Sequence, residues 1–149
     1  MRMGRLSQAA VPDLSRMFVE LCRRERATIL RMDTREHHRQ SDRLMEIAEE
    51  IKSRGEEGRK ALLSLLDHDD ENVRLWAASH SLAFAPDIAV PALEDLVALG
   101  DRERDGELRH DVVSIALSAE RMLYNWREER GLLTPEEAAW LEPMSRRQR

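Results

Sequence analysis

The chain has 149 residues, 42% of them hydrophobic and 4% aromatic, a length that suits one domain with a continuous core. It is rich in Ala, Leu, Glu and Arg, which favour helices, whereas strands favour β-branched and aromatic residues, so we expect an all-α fold. Its 24 basic and 29 acidic residues give a formal charge of −5, which opposes binding to nucleic acid unless the basic residues share one face.

The single cysteine, Cys22, excludes an internal disulfide and suits a reducing cytoplasm. It flanks an apolar helical face, so we expect a packed, unreactive thiol. No apolar run approaches the ~20 residues of a membrane span, and the first residues lack the apolar core of a signal peptide. We therefore expect a cytoplasmic protein that does not insert into a membrane.

Two helices are predicted in the first third of the chain, where apolar residues recur at helical spacing. The first covers about residues 13–32, with Asp13 as its N-cap. The second covers about residues 34–54, with Gly55 as its C-cap.

The middle of the chain has the clearest pattern, a short Leu-rich helix over 57–66, an acidic turn, and a helix over 71–85 with Asp70 as its N-cap. The second of these helices is apolar on two opposite sides, which predicts that it lies between other helices. Its faces are Val73, Trp76, Ala77, His80 and Phe84 on one side and Leu75, Ala78 and Leu82 on the other.

Three further helices are predicted towards the C-terminus. The fifth begins near Val90, so that Pro91 lies in its first turn, and it stops at Gly100. The sixth covers about residues 105–130, and Gly131 ends it.

A short seventh helix opens with a capping box from Thr134 to Glu137 and continues to Leu141. Residues 1–142 are therefore expected to form one helical-repeat domain. Residues 143–149 form a basic tail that we expect to be disordered.

The predicted helices pair as one–two, three–four and five–six, and the turns inside these hairpins fall near residues 33, 68 and 102. A spacing of roughly 35 residues is typical of helical-hairpin repeats. We expect a HEAT-like, right-handed α-α superhelix of three antiparallel hairpins capped by a short C-terminal helix. The turns would share one edge, which is predicted to be acidic through Asp67, Asp69, Asp70, Glu71, Asp101, Glu103 and Asp105.

Between about residues 14 and 99 the chain resembles a bacterial HEAT-like family of unknown function. The blocks that carry the resemblance are Asp33-Thr34-Arg35, Leu44-Met45-Glu46-Ile47, Arg54-Gly55-Glu56-Glu57-Gly58-Arg59, Ala61-Leu62-Leu63, Leu65-Leu66-Asp67-His68, Val73-Arg74-Leu75, Ala77-Ala78 and Ala85-Pro86. The chain departs from the family at His37-His38, where the family tends to carry Tyr-Asn, and in its longer ending. Some members look like immunity proteins encoded beside bacterial toxins, so the resemblance implies a helical-repeat fold and suggests a toxin-neutralising role.

Three polar residues, Glu25, His37 and His80, project from otherwise apolar helical faces and form a candidate buried polar cluster. No metal-ligand spacing, HExxH motif or glycine-rich phosphate loop accompanies them. Hydrogen-bonded residues at the edge of the core are therefore the simpler interpretation. We predict no catalytic residue, no metal and no cofactor.

The hypothesis that these patterns favour is a non-catalytic protein-binding module, an immunity- or antitoxin-like protein whose acidic edge binds a basic toxin. The alternatives are a helical repeat that binds nucleic acid or acts as a regulatory adaptor, and an enzyme that uses Glu25, His37 and His80. We expect a monomer or a weak homodimer. A second apolar patch on helix six is expected to be covered by helix seven and would otherwise be a partner or dimer surface. The patch is Val113, Leu117 and Tyr124, and its cover is Ala138, Trp140 and Leu141.

Overall fold

The computed structural model describes residues 3–104 and 109–139, and every regular element in these two ranges is helical. The all-α fold is therefore confirmed. A 3-10 helix, Met3–Gln8, is followed by α1 (Val11–Arg31), α2 (Thr34–Lys52), α3 (Glu56–Leu63), α4 (Glu71–Ser81), α5 (Pro86–Arg104) and α6 (His110–Glu129). Residues 135–139 are also helical.

Three of the predicted helix starts are confirmed by their capping hydrogen bonds. The Asp33 side chain accepts a hydrogen bond from the backbone N–H of Glu36 at 3.1 Å. The Asp70 side chain accepts one from the N–H of Asn72 at 2.8 Å. In the C-terminal capping box, the Thr134 N–H donates to Glu137 Oε1 and the Glu137 N–H donates to Thr134 Oγ1, both at 3.2 Å. These caps are local, so the sequence predicts them well.

Two predicted starts are wrong, and proline explains both. The N-cap of α1 is Ala10 rather than Asp13, because Pro12 is placed in the first turn, where its missing N–H costs no hydrogen bond. Helix α5 begins at Pro86, so Pro91 lies inside it. Pro91 is exposed, so water can solvate the backbone carbonyl group that loses its helical partner there.

Two glycines play roles other than the predicted ones. Helix α2 ends with Ser53 at its C-cap, and Gly55, at φ +67°, is instead the N-cap of α3. Gly100 lies within α5, where a Cβ atom would be 2.2 Å from the Cβ of Ala116 on α6. It therefore permits close contact between two helices rather than ending one. Gly131, at φ +66°, does follow the end of α6.

The other predicted bounds differ by a few residues. Helix α3 ends at Leu63 and α4 at Ser81, each earlier than expected, and α6 begins at His110. The expected start of helix six at 105–108, the end of helix seven at Leu141 and the tail at 143–149 lie outside the described residues.

The helices pack as the predicted pairs α1–α2, α3–α4 and α5–α6, and α4 also contacts α1, α5 and α6. Helix α1 further contacts α3 and α6. In a uniform repeat the second helix of each hairpin would occupy one layer, but here α1, the first helix of its hairpin, packs on both α4 and α6. The first hairpin therefore presents its first helix to the centre of the molecule.

Helix α4 separates two hydrophobic clusters, as its two apolar faces predicted. Val73 and Ala77 belong to a cluster with α1 and α2, whose largest fully buried side chain is Phe18. Leu75 and Ala78 belong to a second cluster with α5 and α6. This arrangement buries both sides of α4 and places its N-terminus beside α1 and α6.

Candidate functional site

The carboxylate of Glu25 is the centre of a buried hydrogen-bond network. Glu25 lies on α1 and is 4% exposed. It accepts hydrogen bonds from Ser41 Oγ at 2.8 Å, Asn72 Nδ2 at 3.3 Å and Trp76 Nε1 at 3.0 Å. Because Ser41 is on α2 and the other two donors are on α4, one side chain connects three helices. These donors offset the cost of burying a carboxylate.

The two candidate histidines are each linked to Glu25 through one intermediate residue. His37 Nδ1 lies 2.9 Å from Thr28 Oγ1, which donates its hydrogen to the Glu25 carbonyl oxygen at 2.5 Å. The ring of His80 stacks on Trp76 with a centroid distance of 5.9 Å. Burial lowers the pKa of His80 to about 4, so its ring is neutral at neutral pH. The structure thus brings the three residues to one network without placing either histidine against the carboxylate.

A second polar assembly, which we call the Arg26 clamp, lies beside this network. Arg26 Nη1 donates to Glu71 Oε2 at 2.6 Å and to Asp70 Oδ1 at 3.2 Å, and its Nε donates to Asp111 Oδ2 at 2.9 Å. The four side chains are between 16% and 19% exposed. The clamp therefore joins α1 to the N-termini of α4 and α6, where negative charge also interacts well with the helix dipole.

The pKa directions of Arg26 and Asp111 favour the charged forms of these two residues. Burial lowers the pKa of Arg26, but its hydrogen bonds with Glu71 and Asp111 outweigh burial and raise it. Burial raises the pKa of Asp111, and the hydrogen bond and charge of Arg26 outweigh that effect and lower it. Arg26 and Asp111 are therefore both ionised at neutral pH.

The clamp brings α1, α4 and α6 together near the turns of the three hairpins, as the acidic-edge prediction requires. The α1–α2 turn also meets α6, since Met32 and Asp33 line a small cavity together with Ser114. The pairing of Arg26 with Asp111 was not predicted from the sequence, because 85 residues separate the two.

The predicted edge acids divide into two groups. Asp70 and Glu71 are held by Arg26, and Glu103 accepts a hydrogen bond from Arg109 Nε at 2.9 Å. Asp67 and Asp69 are exposed, and we call these two residues the exposed edge acids. Asp101 is also exposed, but it interacts with another residue. Asp105 lies outside the described residues. The surface available to a partner is thus smaller than the sequence suggested.

The apolar patch on α6 is contacted at one end. Tyr124 Oη donates a hydrogen bond to the Glu137 carbonyl oxygen at 3.4 Å, so the C-terminal helical turn reaches α6 there. At the other end Leu117 is 49% exposed and Val113 is half-buried. The expected covering residues Trp140 and Leu141 lie outside the described residues.

Three further features bear on function: the cysteine, the grouping of possible metal ligands and the apolar content of the helices. Cys22 is buried, and burial raises the pKa of its thiol. Within residues 3–104 and 109–139, no three His, Cys, Asp or Glu side chains are grouped so that they could hold a metal ion. Over the same ranges, no helix has the length and apolar content that crossing a bilayer requires.

Helical hairpins packed around a central helix, with a buried polar network between them, define an all-α helical-hairpin protein. Residues 12–125 match the family described as "Domain of unknown function (DUF2019)", and the chain belongs to this family. The matched range runs from α1 into α6 and so includes all three hairpins. This match confirms the expected membership in a family of unknown function, while the likeness to immunity proteins stays a prediction.

The fold is shared with a solved structure, the crystal structure of the protein RPA1889 from Rhodopseudomonas palustris CGA009. The two are 28% identical with a TM-score of 0.68, and the match covers 87% of this chain and 97% of that chain. No curated protein matches the sequence.

Proposed function

We propose that this chain is a non-catalytic, HEAT-like protein-binding module, and specifically a cytoplasmic immunity- or antitoxin-like protein that neutralises a basic toxin. The observation on which the proposal depends is the division of its polar residues. Glu25 and Arg26 are used in contacts between helices, and His80 is buried with its ring stacked on Trp76 of the same helix, whereas the exposed edge acids face solvent. Residues that could do chemistry are thus occupied, and residues that could attract a partner are accessible.

The Arg26 clamp supports this role because it ties the turns of the hairpins to one another. Acids presented on a fixed edge produce a stable negative potential, which accelerates encounter with a positively charged surface. A toxin that acts on nucleic acid needs such a surface for phosphate groups. The edge would therefore compete with the natural substrate of the toxin.

The test is to co-express the chain with the product of the adjacent reading frame, and to measure co-purification and protection of growth. In the variant Asp67→Lys/Asp69→Lys we expect the association rate to fall about 10-fold or more and to depend less on salt. The matched control is Glu46→Lys/Glu120→Lys, which changes the net charge equally at exposed helical positions. Stopped-flow association at several salt concentrations distinguishes the two.

Equal association rates for both variants would remove the acidic edge from the mechanism. Failure of the adjacent product to bind the wild-type chain would contradict the toxin-neutralising role. A gel shift of DNA or RNA by the wild-type chain at moderate salt would favour the alternative of nucleic-acid binding.

A further inference from the structure

An open groove of about 900 Å³ lies between the end of α3 and one face of α5. It exists because the two helices differ in length, since α3 has 8 residues and α5 has 19. Helix α3 packs on α1, α2 and α4, while α5 packs on α4 and α6, so within residues 3–104 and 109–139 no helix covers this side of α5. Leu66, Leu96 and Leu99 line the groove, and Ile88 at its end is 48% exposed.

Two arginines in this groove have no acidic partner among the residues that the structure describes. Arg74 on α4 and Arg102 on α5 both line it, and within the described ranges neither forms an ion pair. The Nε atom of Arg74 is buried and has no acceptor in that part of the chain. Because Arg74 also lines the groove, an occupant with a carboxylate can accept charge-assisted hydrogen bonds from its guanidinium group. Arg26 on α1 differs from these two arginines, because it forms ion pairs with three carboxylates.

We propose that this groove binds a helical segment of a protein partner that places apolar side chains on the leucines and one carboxylate against Arg74 and Arg102. The inference rests on the proposed function, since it presumes a protein-binding module, and it defines the partner's chemistry. Such helix-in-groove binding uses anchors three and four residues apart.

The dimensions and the charges of the groove favour this occupant. The lining face of α5 extends from Ile88 to Arg102, about 21 Å at the helical rise, or roughly four turns. Nucleic acid fits poorly, because leucines line the groove and its acids, Asp67, Glu71 and Asp95, would repel a chain of phosphates. Glu71 is already paired with Arg26, so a segment with a single carboxylate can pair with the two arginines and avoid the two aspartates.

The experiment is a selection of phage-displayed helical peptides on the wild-type protein, followed by fluorescence anisotropy with the most enriched peptide in synthetic form. We expect enriched peptides to share an apolar stripe at helical spacing that contains one Asp or Glu. Arg74→Gln should weaken binding about 10- to 100-fold, as expected for loss of a charge-assisted hydrogen bond. The control is Arg43→Gln, which removes an exposed arginine on α2 and should leave binding unchanged.

A steric pair of variants tests the location. Ala98 is an exposed residue of the groove and Ala27 is an exposed residue of α1. Ala98→Trp should abolish peptide binding, whereas Ala27→Trp should not. Replacing the peptide's acidic residue by its amide should weaken binding to the wild type but not to Arg74→Gln.

Absence of enriched peptides, or peptides that bind Ala98→Trp as well as the wild type, would overturn the groove proposal. Equal binding to Arg74→Gln and Arg43→Gln would do the same, provided that thermal unfolding shows both variants to be folded. If the toxin complex survives Ala98→Trp but not charge reversal at Asp69, which does not line the groove, the groove proposal alone fails. If the groove binds peptides and no toxin complex forms, the proposed toxin-neutralising role fails instead.

Discussion

Replacement of Arg26 by alanine tests the stabilising role of the clamp. It would leave Asp70, Glu71 and Asp111 half-buried and without their shared cation. Breaking a buried pair costs about 3–5 kcal/mol, and side chains 16–19% exposed place this case at the lower end, about 3 kcal/mol. At about 2.1 cal/mol/K per residue, the unfolding entropy of 149 residues is about 0.31 kcal/mol/K, so the Tm should fall by about 10 °C.

The assay is thermal unfolding followed by circular dichroism, with Arg24→Ala as the control. Arg24 pairs with Glu20 on the same helix, and both side chains are more than half exposed, so its loss should change stability little. Because Arg26 lowers the pKa of Asp111, the wild type loses this stabilisation as the pH falls below 3.8, so the Arg26→Ala deficit should shrink there. Equal Tm values for the two variants, or a deficit that does not change with pH, would refute the stabilising role of the clamp.

Burial lowers the pKa of His80 from 6.5 to about 4. As the pH falls, the unfolded chain therefore binds a proton at this histidine before the folded chain does. The free energy of unfolding should be highest above pH 6.5 and fall by about 3 kcal/mol towards pH 4. Urea unfolding at several pH values should show this fall in the wild type but not in His80→Gln. Gly100→Ala would place a Cβ atom 2.2 Å from that of Ala116 and should destabilise by about 1–3 kcal/mol. A higher Tm, as for an exposed helical glycine, would contradict the close packing there. Burial raises the pKa of Cys22, so an aromatic disulfide reagent should label it only in urea, and rapid labelling of native protein would contradict its burial.

The sequence alone determined the features that depend on neighbouring residues. Asp70 caps α4 as predicted, because a side-chain oxygen reaches an N–H group two or three residues ahead whatever the rest of the chain does. Helix α2 starts at Thr34 as predicted, and Asp33 caps it in the same way. The two apolar faces of α4 are also a local pattern, and they alone indicated a central helix between two clusters. The burial of Glu25 was suggested in the same way, by its position on an apolar face.

Only the tertiary structure decided which side chains meet. Gly100 looked like a helix end, but α5 continues through it because Ala116 of α6 packs against it. Likewise, the partners of Arg26 lie 44, 45 and 85 residues away, and no spacing rule connects them. Hydrophobic periodicity indicates how much of a helix is buried, but it does not indicate which other helix covers the buried face. The packing of α1 on α4 and α6 therefore determined which acids are paired in the clamp and which remain at the surface.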